Sequence, residues 1–234
     1  MVQPRNMKRI ALLLICLFAS VGFLEAAQHV ILTGGPALRK WENYRTERDR
    51  HDRWWANFVR ASTLRMDEIR RAYGTEGTSF VWYVYRTGYD KRGREDGKPY
   101  TTWITEQAAK RNARLVWISS GNDFISKFNR LPARSVATFD FFGHSNKHCF
   151  LLDYSSQILG ASAAWLHESQ LRSLSGRPLA KGAICKSWGC HTAESMSKYW
   201  KSATGVPLIG AVGKTDYATL THGKLPSVSG RWSQ

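Results

Sequence analysis

A thiol can attack an acyl carbon when it is held as its thiolate and an imidazole stands close enough to move the protons. Two stretches of this chain supply those groups. The first is Phe139-Asp140-Phe141-Phe142-Gly143-His144-Ser145-Asn146, an apolar run that ends in Gly-His. The second is Cys185-Lys186-Ser187-Trp188-Gly189-Cys190-His191-Thr192-Ala193, in which a strand-like run reaches a Cys and a helix-like pattern follows it. A Cys at a helix N-terminus has its thiolate favoured by the positive end of the helix dipole, and a neighbouring imidazole adds to that effect. This makes Cys190 the candidate nucleophile and His144 its proton carrier. The backbone amides of Cys190 and Ser145 are the candidate donors to an oxyanion.

The same residues admit other chemistry. Gly143-His144-Ser145 after an apolar strand also reads as the nucleophile elbow of a serine esterase, with Ser145 attacking. That turn is too tight for a side chain two residues after the Ser, and Lys147 stands there. Asp216 and His222 follow in the required order but lie close together. His144, His148, Cys149, Cys185, Cys190 and His191 are also soft enough ligands for zinc, although their spacings match no standard zinc module. A basic, non-catalytic binding module is a third reading. Trp41, Tyr44 and Trp54 stand among basic residues as such a module would have them, yet aromatic residues at helical spacing are more often core.

The elements that must position these groups alternate in type. His29–Thr33 reads as a buried strand stopped by Gly34-Gly35-Pro36, and Ser79–Arg86 as a strand rich in β-branched and aromatic residues. Further strands are expected at Leu115–Ser119, Val136–Phe142, Phe150–Asp153, Ala180–Trp188 and Val206–Val212. Helical periodicity begins at Asn43, where Trp55, Phe58 and Val59 share a face, and a second helix is expected from Ser62 or Thr63 to Tyr73. Helices also follow from Thr101 or Thr102 to Arg111, at Asp123–Leu131, Ala163–Leu174 and Thr192–Thr204. Residues 87–98 are polar and contain glycine, and read as a surface loop. Strands alternating with helices predict an α/β three-layer sandwich with a mostly parallel central sheet. His144 and Cys190 then both fall beyond the carboxyl ends of strands, where such sheets gather their functional groups.

Composition bounds the function. The chain has 234 residues, enough for one domain with a full core, and its 43% hydrophobic content is that of a folded protein. Arg5, Lys8 and Arg9 precede an apolar run from Ile10 to Leu24, with Ala26-Ala27 available for cleavage. Residues 1–27 therefore read as a secretory signal and residues 28–234 as a single domain, secreted or periplasmic, with no transmembrane segment once the signal is removed. Loss of three basic residues and one acidic residue takes the formal charge from +16 to +14, a balance that suits anionic surfaces or nucleic acid. Cys149, Cys185 and Cys190 remain after cleavage. This odd number leaves at least one thiol unpaired even if Cys149 joins Cys185.

The order of these parts resembles the caspase-, legumain- and gingipain-like cysteine peptidases, in which a strand-end His precedes a strand-end Cys. His144 and Cys190 are 46 residues apart, in keeping with that arrangement, and Cys190-His191-Thr192-Ala193 fits the small or hydroxylated residues that follow the Cys there. His29 through Gly35, followed by Asn43-Tyr44-Arg45, resembles the opening of legumain. The resemblance implies a Cys190–His144 dyad, a thioester acyl-enzyme, a peptide or protein substrate and no cofactor or metal. It also implies substrate-binding roles for Arg45 and for Lys214 and Asp216, on the loop that follows the Cys. Two positions depart from the clan's pattern. Ser145 stands where a Gly should follow the His, and Gly189 precedes the Cys. The reading that results is an exported cysteine hydrolase, an endopeptidase by class.

Overall fold

A computed structural model describes residues 27–47, 53–155 and 162–233. The expected signal segment lies outside the described residues except for Ala27, as do Arg48, Asp49, Arg50 and Asp52 of the first helical stretch. The described chain begins with β1 (Ala27–Thr33) and a single helical turn (Arg39–Glu42), followed by α1 (Asn57–Tyr73), β2 (Thr78–Tyr85), α2 (Arg86–Asp96), α3 (Tyr100–Lys110), β3 (Ala113–Ile118) and α4 (Gly121–Asn129). Next come β4 (Val136–Phe142), β5 (His144–Ser145), β6 (Cys149–Asp153), β7 (Ala164–His167) and β8 (Leu179–Ser187). The chain continues with α5 (Met196–Thr204), β9 (Leu208–Ile209) and β10 (Ala211–Val212). Three short strands close it, β11 (Thr215–Asp216), β12 (Ser227–Val228) and β13 (Arg231–Trp232).

Six of these strands form an all-parallel sheet in the order β3-β2-β1-β4-β8-β9. A parallel sheet must be covered on both faces, so its strands read as nearly continuous apolar runs, as β2 and β4 do. Along β2, Val81, Tyr83 and Tyr85 join one core with Phe124 and Phe128 of α4 and Met196 and Trp200 of α5. Phe80, Trp82 and Val84 join the opposite core with Phe58, Val59, Met66 and Ile69 of α1, Tyr89 of α2 and Ile104 of α3. The expected three-layer α/β sandwich is the observed architecture. Strand order reverses between β1 and β4, which makes their carboxyl ends a topological switch point.

Several local expectations give way to tertiary pairing. Residues 87–98, read as a loop, contain most of helix α2. Its charges make i,i+4 ion pairs, Arg86 with Asp90 at 3.2 Å and Arg92 with Asp96 at 2.7 Å. Gly88 is there for close approach, because a Cβ at that position would stand 3.0 Å from the Cα of Gly35. Residues 163–174 are not a helix: Ala164–His167 pairs antiparallel with β6, and a 3₁₀ helix, Glu168–Ser173, follows. The 62–73 helix starts earlier, at Asn57, because Phe58 and Val59 are part of its buried face. Val206–Val212 is two short strands divided at Gly210, whose Cβ would come within 2.6 Å of the Ala193 amide. Cys149, Cys185 and Cys190 are all free thiols, so the Cys149–Cys185 pair is not formed.

One charged group is buried in the sheet itself. Asp140, in the middle of β4, is 1% exposed and points into the α1 layer. It accepts a hydrogen bond from Arg65 Nε at 3.2 Å and another from Trp188 Nε1 at 2.8 Å. Next to it, in register on β8, Lys186 lays its ammonium 3.6 Å from the centre of the Trp188 ring and 3.9 Å from that of Trp232. Burial lowers the Lys186 pKa to about 8 against the pull of Asp140. Asp140 of β4 thus ties the sheet to α1, and Lys186 of β8 ties it to the C-terminal strand.

Asp140→Ala leaves Arg65 and Trp188 without their buried acceptor and should destabilise the fold by about 3–5 kcal/mol in urea unfolding. Fully buried His29 on β1 shares a hydrogen bond of 2.9 Å with Thr138 Oγ1, and burial followed by the charge of Arg65 lowers its pKa to about 4. A His held neutral in the folded state contributes stability above its unfolded pKa, and that contribution is lost as the unfolded chain takes up the proton. Stability should therefore fall between about pH 6.5 and pH 4, and His29→Gln should flatten that slope in unfolding measured across the range.

Candidate functional site

β4 and β8 are neighbours in the sheet, with Phe141 opposite Ser187, and the Trp188 amide donates to the Phe141 carbonyl at 2.8 Å. The chain leaves both strands at the same end. After β4, Gly143 turns it into β5, which pairs antiparallel with β6. A Cβ at Gly143 would stand 2.7 Å from the Phe141 ring, so only glycine passes there. After β8 the chain runs through Trp188 and Gly189 to Cys190. The two exits meet at a cavity of about 190 Å³ lined by Phe58, Gly143, His144, Ser145, Cys190, His191, Lys214, Thr215 and Tyr217.

His144 is half-buried and held by aromatic edges. The Phe58 ring lies 5.0 Å away and the Tyr154 ring 4.6 Å, both T-shaped, and Phe58 in turn meets Tyr217 at 5.1 Å. Tyr217 is fixed by its hydroxyl, which donates to the Trp188 carbonyl at 3.1 Å. These contacts restrict the imidazole without supplying a charge.

Cys190 does not sit at a helix N-terminus. Residues 190–195 form turns, His191 has φ 61°, and α5 opens only at Met196. The amides of His191 and Ala193 donate across to the carbonyls of Gly213 and Ala211, at 2.7 and 3.0 Å, and are committed to joining the turn to the next segment. That segment supplies what the helix does not. The Thr215 amide donates to Cys190 Sγ at 3.3 Å, and the Thr215 hydroxyl lies 3.4 Å from the same sulfur.

The other two thiols are poorly placed for this role. Burial pushes the Cys185 thiol up to about 12. Burial, with the Glu168 carboxylate nearby, pushes Cys149 up to about 11. Glu168 accepts from His148 at 3.0 Å and from Ser195 at 2.6 Å, which fastens the 190–195 turn to β6 and β7. Among the described residues no three His, Cys, Asp or Glu side chains converge as a metal-binding set.

Ser145 and Gly189, the two departures from the clan's pattern, are a single fitted contact. The Ser145 hydroxyl donates to the Cys190 carbonyl at 2.7 Å. To do so it fills the space a Cβ at residue 189 would need, since that atom would stand 2.8 Å from the Cβ of Ser145. The hydroxyl therefore orients the peptide after Cys190 and is not presented as a nucleophile.

Of the residues singled out from sequence, Cys190, His144, Ser145 and Lys214 share the cavity. Arg45 and Asp216 do not line it. Arg45 pairs with Glu42 at 3.4 Å and lies over the Tyr154 ring at 6.0 Å, one ring away from His144. Asp216 is exposed and accepts from the Ala218 amide at 2.8 Å, capping a 3₁₀ turn. Phe58, Thr215 and Tyr217 enter the site without having been selected as site residues, and His191, named from sequence only among possible zinc ligands, lines it as well. Thr215 stands between the two charged residues that drew attention, and His191 stands next to the Cys.

Gly189→Ala should cost about 1–3 kcal/mol through overpacking against Ser145. Ser145→Gly in the same chain should recover more than half of that cost, read as a double-mutant cycle in chemical unfolding. No known protein family, no curated protein and no solved structure matches this chain.

Proposed function

We propose that this protein is a cysteine hydrolase, an endopeptidase, with Cys190 as nucleophile and His144 as proton carrier. The observation that carries the reading is the meeting of Cys190 and His144 on one cavity, with the Thr215 amide already directed at the sulfur. In this reading the thiolate attacks the carbonyl carbon of the scissile bond. His144 delivers a proton to the departing amine, and the acyl group stays on Cys190 as a thioester until water releases it. Amides near Ser145 and Cys190 hold the oxyanion. The cavity lining includes Lys214 and, among the described residues, no carboxylate, which supports an acidic or amide side chain on the substrate. The basic run followed by an apolar segment before residue 27 supports export. The order of the His and Cys strands supports a divergent place beside the caspase- and legumain-like peptidases.

Iodoacetamide labelling at neutral pH followed by peptide mapping should place the adduct on Cys190, and Cys190→Ala should lose both the adduct and peptide cleavage. His144→Ala should lower turnover about 10²–10⁴-fold. Equal labelling of wild type and Cys190→Ala would sink the thiol reading. Salt-sensitive DNA binding that survives Cys190→Ala, with no cleavage, would favour a basic binding module instead.

A further inference from the structure

The cavity holds a second imidazole. His191 follows the nucleophile directly and lines the same space as Cys190 and His144. Its backbone is in the left-handed region, φ 61°, which a residue with a Cβ rarely adopts and which persists only where surrounding contacts impose it. Those contacts are present. The His191 amide donates to the Gly213 carbonyl at 2.7 Å, and Nδ1 lies 2.6 Å from Glu194 Oε1. The same carboxylate oxygen accepts from the Gly213 amide at 3.1 Å. Ring, carboxylate and loop are thereby locked together.

A carboxylate on Nδ1 fixes the tautomer and leaves Nε2 as the atom that takes or gives a proton. His191 thus has a carboxylate to orient it, the arrangement by which a general base is recognised. His144 lies on the other side of the cavity, between the rings of Phe58 and Tyr154. The His191 side chain is 37% exposed and can exchange protons with bulk solvent.

From this geometry, and resting on the Cys190 thioester reading above, we infer that His191, positioned by Glu194, is a further catalytic residue that serves the hydrolysis of the acyl-enzyme. As a water oxygen bonds to the thioester carbonyl carbon, His191 Nε2 takes the proton that the water gives up. The tetrahedral centre then collapses, the C–S bond breaks, and Cys190 leaves as thiolate while the acid product departs. The imidazolium returns its proton to solvent. Labour is thereby divided: His144 serves the amine that leaves in acylation, and His191 serves the water that enters in deacylation. Glu194 is a positioning residue that acts through His191.

The test is stopped-flow turnover of a p-nitrophenyl ester by the full chain, with intact-mass detection of acylated protein. Wild type should release a Cys190-dependent burst of nitrophenol and then turn over. His191→Ala should keep the burst and lose about 100-fold in the steady-state rate, with the acyl adduct accumulating, because a positioned base contributes that much to proton transfer. Glu194→Gln should keep the burst with a smaller loss. It also serves as the conservative variant should His191→Ala fail to fold. Added imidazole should restore deacylation in His191→Ala, which a purely structural role for the ring would not allow. A steady-state rate for both variants within twofold of wild type, with the burst intact, overturns this inference and leaves the dyad standing. Absence of any Cys190-dependent burst in wild type overturns the dyad and this inference together.

Discussion

The site depends on one rung of the sheet, the hydrogen bond from the Trp188 amide to the Phe141 carbonyl at the end of the β4–β8 ladder. Parallel pairing carries both strands in one direction, so the residues that follow them leave from the same edge. Two residues past Phe142 stands His144, and two residues past Trp188 stands Cys190. Had the two strands been separated by another, the same residues would stand about 10 Å apart instead of lining one cavity. The rung is protected from below, where Trp188 stacks on Phe142 and hands its indole N–H to Asp140. Asp140, buried with Arg65, is therefore a support of the site and not a member of it.

Around that rung the chain solves a crowding problem with paired residues. Ser145 on one exit and Gly189 on the other occupy a space with room for a single side chain. Filling it with a hydroxyl also directs the Cys190 carbonyl, so the contact that closes the two loops also sets the peptide after Cys190. The same economy operates on the far side of the sulfur. The 213–217 segment accepts from the His191 amide and gives its Thr215 amide to Sγ. The C-terminal strand closes behind it, with Trp232 against Lys186 and Trp188.

Much of the fold is legible in the order of residues because a doubly covered parallel sheet leaves a strong trace. Runs such as Phe80–Tyr85, and Phe139–Phe142 apart from the buried Asp140, are apolar on both faces and read as central strands. The helix α2 was not legible, since its glycines and charges mimic a loop until Gly88 is seen against Gly35 and the ion pairs are seen at i,i+4. Ala164–His167 was misleading for the opposite reason. Its composition suits a helix, and the antiparallel pairing with β6 that makes it a strand leaves no trace in that composition.

The sequence alone determined the layered α/β class and the strand ends at which His144 and Cys190 emerge, because the periodicity that sets strand and helix is a local property of residue order. Tertiary structure decided what surrounds the sulfur. A helix dipole expected from local pattern is replaced by the Thr215 amide, Arg45 and Asp216 fall outside the cavity, and His191 enters it with Glu194 attached. These are contacts between segments whose meeting depends on turn geometry and strand register. A left-handed residue at 191 and a missing Cβ at 189 direct them, and neither reveals its partner until the strands are side by side.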